Sequence, residues 1–191
     1  MNILHREWTG VQRGDVFHII PLGDVHMGNA ACEERLFQQV VKRIANDPRC
    51  YWLGMGDYCE FIQMSDPRWS PSAVAPWVRV SHLGDLARAQ RDRFLEMVQP
   101  IAGRCLGLVE GNHERAIRKY YERDIYLDIV KGVKEMGGFP ADHKLALGYY
   151  GWLLLIFKRK DARTHSMIRI NVHHGFVGGK LAGAKALNMQ R

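Results

Sequence analysis

Cysteine is scarce in this sequence and shows no pairing pattern. Cys32, Cys50, Cys59 and Cys105 are scattered, with no Cys-x-x-Cys among them. That spacing excludes a Cys-rich structural zinc site and a disulfide framework, and a reducing compartment is the simplest inference. Cys59 lies close to a Gly-Asp pair of interest but reads as a packed thiol rather than a nucleophile. Long apolar runs are also missing. The longest, residues 149–157, is too short to span a bilayer and reads as a buried strand. The amino-terminal stretch carries His5, Arg6 and Glu7 and lacks an apolar signal core. A cytoplasmic protein without a membrane partner is expected. No internal repeat or low-complexity tract is present. Acidic residues are the minority charge, with 27 Lys+Arg against 20 Asp+Glu for a net +7. Such a balance favours anionic partners such as phosphate esters or nucleic acid, mainly through encounter rate, or else marks a solvated basic surface. At 191 residues, 47% hydrophobic and 25% charged, the chain has the makeup of one globular domain, 1–191.

What is present is an alternation of strand and helix signals. Residues 16–22 form an apolar, β-branched run that stops at Gly23 and reads as a strand. A helix is expected over 32–45, where Leu36, Phe37, Val40, Val41 and Ile44 recur at helical spacing before Asn46-Asp47-Pro48 closes it. Residues 51–55 read as a second strand. The stretch 64–82 holds Pro67, Pro71 and Pro76 with Trp69 and Trp77, and is expected to be an irregular insertion or lid loop. A helix over 85–98, a strand over 105–110 and a helix over 124–136 follow, the last closed by Gly137-Gly138. Strands are expected at 149–158 and 167–172, joined by the charged turn 159–163. The pattern predicts an α/β fold with mixed, largely parallel sheets flanked by helices.

Polar residues follow the strands in order. The first expected strand ends in Gly23-Asp24-Val25-His26, the second in Gly56-Asp57, the third in Gly111-Asn112-His113-Glu114, and the last in His173-His174. In open α/β sheets, ligands bind at the carboxyl ends of strands, so residues distant in sequence are expected to converge there. The residues on offer are carboxylate, imidazole and carboxamide, without thiolate. That donor set suits manganese, iron, zinc or nickel. Each motif alone has a plainer reading: Asp-x-His in a turn, or Asn112 as a helix N-cap. Their order, each directly after a strand, is what gives them weight.

These motifs resemble the successive motifs of the calcineurin-like metallophosphoesterases, from about Val16 to Gly175. The resemblance implies an α/β/β/α sandwich and hydrolysis of phosphate mono- or diesters. It implies two divalent metal ions, manganese first, with a bridging hydroxide as nucleophile. Asp24 and His26 would hold one ion, Asp57 would bridge, and Asn112 with His173 or His174 would hold the other, His173 being preferred as the first after the strand. His113 would protonate the leaving oxygen or stabilise the transition state, oriented by Glu114; Arg115, just past the motif, is separately expected as a substrate contact. The substrate would be a phosphate ester, including a nucleotide or nucleic acid.

One family motif is missing. Gly-His-x-His does not occur, since no glycine is followed by histidine. The expectation is that it lies beyond Arg191 and that the chain is incomplete at that end. The alternative is a catalytically degenerate protein of the same fold that serves as a binding or scaffold module. The cations Arg115, Arg118, Lys119 and Arg123 are expected either to line a phosphate path or to form a solvated helix face.

Overall fold

A computed structural model describes residues 2–121, 123–160 and 165–175. Four parallel strands form the central sheet: β2 (His18–Leu22), β3 (Cys50–Gly54), β4 (Cys105–Val109) and β5 (Ala146–Gly148), in the order β2-β3-β4-β5. All five residues of β4 are buried. A strand covered on both faces has no reason to alternate polar with apolar, which is why it reads as a continuous hydrophobic run.

One face of this sheet is covered by helices. From α1 (Glu34–Asn46) come Phe37, Val41 and Ile44; from α2 (Leu86–Val98) come Phe94, Met97 and Val98. A further helix over Ile125–Met136 adds Ile129 and Val133, and all of these join Trp52 and Leu108 of the sheet in the larger core. The Trp52 indole N–H donates to the Ile101 carbonyl at 2.8 Å, so the largest buried ring leaves no unpaired donor. Between β4 and that helix lies a shorter one, Asn112–Tyr121, so the two are α3 and α4 in chain order.

The other face carries a second sheet of β1 (Asn2–Val11), β6 (Tyr150–Arg159) and β7 (His165–His173), in the order β1-β6-β7. β1 pairs parallel to β6, and β7 antiparallel. Leu4, Leu153, Leu155 and Val172 from this sheet meet Leu53, Leu106, Val109 and Leu147 from the first. Trp8 stacks on Phe157 with ring centroids 4.9 Å apart, closing one end of the layer. The architecture is α/β, with a parallel and a mixed sheet and four α-helices among the described residues.

Three elements differ from expectation. β1 was not anticipated because only its alternate residues turn inward, and two of these are Arg6 and Trp8 among charged neighbours. β5 spans three residues, too few to carry a period. α3 begins on the Asn-His-Glu motif itself. The 64–82 stretch is irregular apart from short 3-10 helices at Pro71–Ala73 and Val80–Asp85, the second running past its end. It is tied down by the Ala75 N–H to the Gly28 carbonyl at 2.9 Å and by the Trp77 indole N–H to Glu34 at 2.6 Å. Trp77 is therefore a loop anchor. No helix among the described residues is long and apolar enough to cross a membrane. The Gly-, Ala- and Lys-rich stretch 176–191 and most of the 159–163 turn lie outside the described residues.

Candidate metal centre

Parallel pairing of β2, β3 and β4 brings three sequence-distant loops to one sheet edge. The loops are stitched together by backbone bonds: the Asp24 N–H donates to Gly56 O at 3.0 Å, and the N–H groups of Val25 and His26 donate to Asp57 O at 3.0 and 3.1 Å. Among the described residues, the non-glycine positions with positive φ are Asp24 (51°), His26 (49°), Asp57 (51°) and Phe61 (53°). Such backbone costs on the order of 1–3 kcal/mol per residue and persists only where surroundings over-determine it. Three of these four are candidate ligands, so the strain is concentrated where the carboxylates and imidazole are aimed.

Close approach explains the glycines. A Cβ on Gly111 would sit 2.2 Å from both the Asp57 nitrogen and its Oδ1, and 2.6 Å from Glu114 Oε2. A Cβ on Gly56 (φ 91°) would sit 2.7 Å from the Gly111 backbone and 2.8 Å from His174 Nδ1. Only glycine lets the three loops touch.

Asp57 is the hub. It is 3% exposed, and its Oδ1 accepts the His113 backbone N–H at 2.9 Å. Its Oδ2 faces three imidazoles: His174 Nε2 at 3.2 Å, His26 Nε2 at 4.0 Å and His113 Nε2 at 4.0 Å. The far nitrogen of each ring meets an oxygen. His26 Nδ1 lies 2.9 Å from Glu60 Oε2, His113 Nδ1 contacts the Glu60 carbonyl, and His174 Nδ1 lies 2.7 Å from the Met55 carbonyl. An Nδ1–H donating outward leaves an Nε2 lone pair pointing at Asp57. Asn112 Oδ1 adds another acceptor 3.0 Å from His174 Nε2. Lone pairs converging on a carboxylate repel one another unless positive charge lies between them.

Two groups of donors have the separations a cation needs: His26, Asp57 and His113, and Asp24, Asp57 and His174, each with ligand atoms within 4.8 Å of one another. Zinc-type ions sit about 2.0–2.2 Å from nitrogen and oxygen ligands, so one ion spans gaps of this size. Asp57 belongs to both groups, the place of a bridging carboxylate.

The surroundings tune these groups. The Glu60 carboxylate bonded to His26 raises that imidazole's pKa, against burial. Burial works to raise Glu60, but hydrogen bonds from His26 and Asn29 hold it below the ordinary carboxylate range. Glu114 is fully buried; burial, seconded by the Asp57 charge, pushes its carboxyl up to about 7. Three backbone donors oppose that shift: the N–H groups of Asp57 at 3.0 Å, Tyr58 at 2.9 Å and Gly111 at 2.8 Å.

The structure thus brings Asp24, His26, Asp57, Asn112, His113 and His174 together. His173, preferred from its place in the chain, is instead exposed at the end of β7, and His174 faces Asp57. Strand alternation is the reason: Val172 points into the core, His173 points out, and the chain then turns His174 inward. Glu114 does not face the His113 ring; it clamps the loops after β3 and β4. Arg115 is exposed, and its guanidinium sits 4.6 Å from the Tyr149 ring centroid rather than among the donors. Arg118 pairs with Glu110 at 2.9 Å and Arg123 with Asp85 at 2.9 Å, so both are engaged in the fold's own ion pairs. Cys59 is fully buried and its thiol is pushed well above its ordinary pKa by burial, as suits a packed side chain.

Glu60 was missed. It holds His26 by its carboxylate and His113 by its carbonyl. Its only sequence signal is an acidic residue shortly after Asp57, where an imidazole's outer partner is commonly supplied.

In comparisons with known proteins, no family model, no curated protein and no solved structure matches this chain.

Proposed function

We propose that this protein is a metal-dependent phosphoester hydrolase of the metallophosphoesterase kind, built around two divalent cations that share Asp57. The observation that carries the reading is the convergence of three imidazole Nε2 atoms and Asp24 on one buried carboxylate, with Asn112 Oδ1 3.0 Å from His174 Nε2 and every outward Nδ1 already engaged. The helix layer, parallel sheet and mixed sheet stack as α/β/β, three of the four layers of an α/β/β/α sandwich; no helix residue among the described residues joins the core under β1-β6-β7.

Asp57 would bridge; His26 would stand on the side next to Glu60, where His113 also lies within ligand range, and Asp24, His174 and Asn112 would complete the other. The donor set favours manganese, with iron, zinc or nickel as alternatives. When bound, such an ion pair neutralises phosphate charge and depresses the pKa of a held water, which supplies a nucleophile near neutral pH. His113 borders both the donors and an adjoining cavity, and Glu60 holds its Nδ1. With Nδ1–H held by the Glu60 carbonyl, only the imidazolium form carries an Nε2 proton, and from there that proton would pass to the leaving oxygen. Glu114 keeps the loops bearing Asp57 and His113 in register, so it is a positioning residue.

Two measurements test this together. Manganese uptake by calorimetry should be lost in Asp57→Ala and retained in His113→Ala. Hydrolysis of a generic monoester and a generic diester with added manganese should be lost in both. A wild-type chain that takes up no divalent cation overturns the reading, and loss of uptake in His113→Ala would make His113 a ligand rather than the proton carrier.

A further inference from the structure

A cavity of about 670 Å³ opens directly beside the donor cluster. Glu60 and His113 form its inner end; its outer walls come from the chain after Phe61 and from the last turns of α3. That volume falls within the range of about 300–1,000 Å³ typical of small-molecule sites. It is far more room than a phosphate group needs.

Two tyrosine rings stand in the outer walls. Tyr120 is 67% exposed and Tyr121 44% exposed, so both rings are displayed instead of packed into the core. Lys119 lies 4.9 Å from the Tyr120 ring centroid. Arg68, also in the lining, donates to Asp66 from Nε at 3.0 Å and from Nη2 at 2.8 Å, one to each carboxylate oxygen. Its charge is thereby balanced and its guanidinium face is left for stacking. Polar groups line the cavity as well, among them the Ser65 and Tyr121 hydroxyls, 2.6 Å apart. Flat π-surfaces with a few polar atoms match a heteroaromatic ring with a hydrogen-bonding edge better than an aliphatic chain.

We propose that this cavity seats the base of a nucleotide whose phosphate lies at the Asp57 cluster, which makes nucleotide phosphoesters the substrate class. The inference rests on the phosphoesterase reading above. The base stacks on Tyr120 and Tyr121, and the sugar spans the distance to His113. Ribose 5-phosphate and inorganic phosphate leave the outer walls unused.

The test is calorimetric binding of adenosine 5′-monophosphate, ribose 5-phosphate and inorganic phosphate to the manganese-saturated protein. The monophosphate nucleotide should bind about 5- to 150-fold more tightly than ribose 5-phosphate, the range expected of one stacked base. Tyr120→Ala combined with Tyr121→Ala should abolish that difference and leave ribose 5-phosphate affinity unchanged. Tyr120→Phe, which keeps the ring, should preserve it. Equal affinity for the nucleotide and the sugar phosphate, with both binding, overturns the base-binding inference alone. Failure of all three ligands, inorganic phosphate included, overturns the phosphoesterase reading and the inference with it.

Discussion

Gly111→Ala is the sharpest test of how the centre is assembled. The added methyl would lie 2.2 Å from the Asp57 nitrogen and Oδ1, whereas real Cβ contacts essentially never fall under 3.0 Å. The neighbour is backbone, so the loop after β3 must retreat by most of an ångström. That retreat breaks the Asp57 Oδ1 bond to the His113 N–H (2.9 Å) and the Glu114 bond to the Gly111 N–H (2.8 Å). Each buried group left unsatisfied costs about 1–3 kcal/mol, so a destabilisation of about 2–6 kcal/mol is expected. Urea denaturation, metal-free and with manganese, measures it, and manganese affinity should fall by more than the stability loss alone explains. Gly14→Ala is the internal control, because a Cβ there meets nothing within 4 Å and φ is not positive. It should be neutral or stabilise by about 0.4–1 kcal/mol. A Gly111→Ala protein within about 1 kcal/mol of wild type, with unchanged manganese affinity, would refute the close approach of these loops.

Asp57→Asn should abolish manganese uptake in calorimetry yet leave the metal-free protein as stable as wild type or more so, because Asn tolerates positive φ and removes the repulsion with Glu114. Glu60→Ala should weaken manganese binding about 10- to 100-fold by releasing the His26 ring, with little change in urea midpoint. The folded Glu114 carboxyl lies at about 7, above its ordinary 4.5. Its contribution to metal-free stability is therefore complete below the ordinary value and is lost as pH rises through the folded one. Urea midpoints should fall across that window, and both Glu114→Gln and a cation offsetting the Asp57 charge should flatten the fall; a pH dependence untouched by either would refute the assignment.

Legibility in the sequence followed burial. β3 and β4 are covered on both faces and announce themselves as apolar runs leading, one residue on, into Gly56 and Gly111. α1 and α2 show their stripes because one side of each meets the core. β1 hid because Arg6 and Trp8 share its inward face with Leu4. The donors after β2, β3 and β4 could be named in advance, since parallel strands present their carboxyl ends together. His174 was within reach of the same reasoning: carrying the alternation of Ile170 and Val172 two residues further selects it over His173. Glu60 and the true partners of Glu114 were not, because neither contact follows a local period. One depends on a ring brought from 34 residues away, the other on an amide brought from 57.

Sequence alone determined which chemical groups stand after each strand, because side-chain identity and strand signals are local properties of the chain. The tertiary structure decided which atom of each group faces Asp57. Orientation depends on what binds the other end of the ring: Glu60 for His26 and His113, and the Met55 carbonyl for His174. Those partners become neighbours only when the loops close over Gly56 and Gly111, and it is that closure which gathers scattered donors into one cluster with separations of at most 4.8 Å within each group.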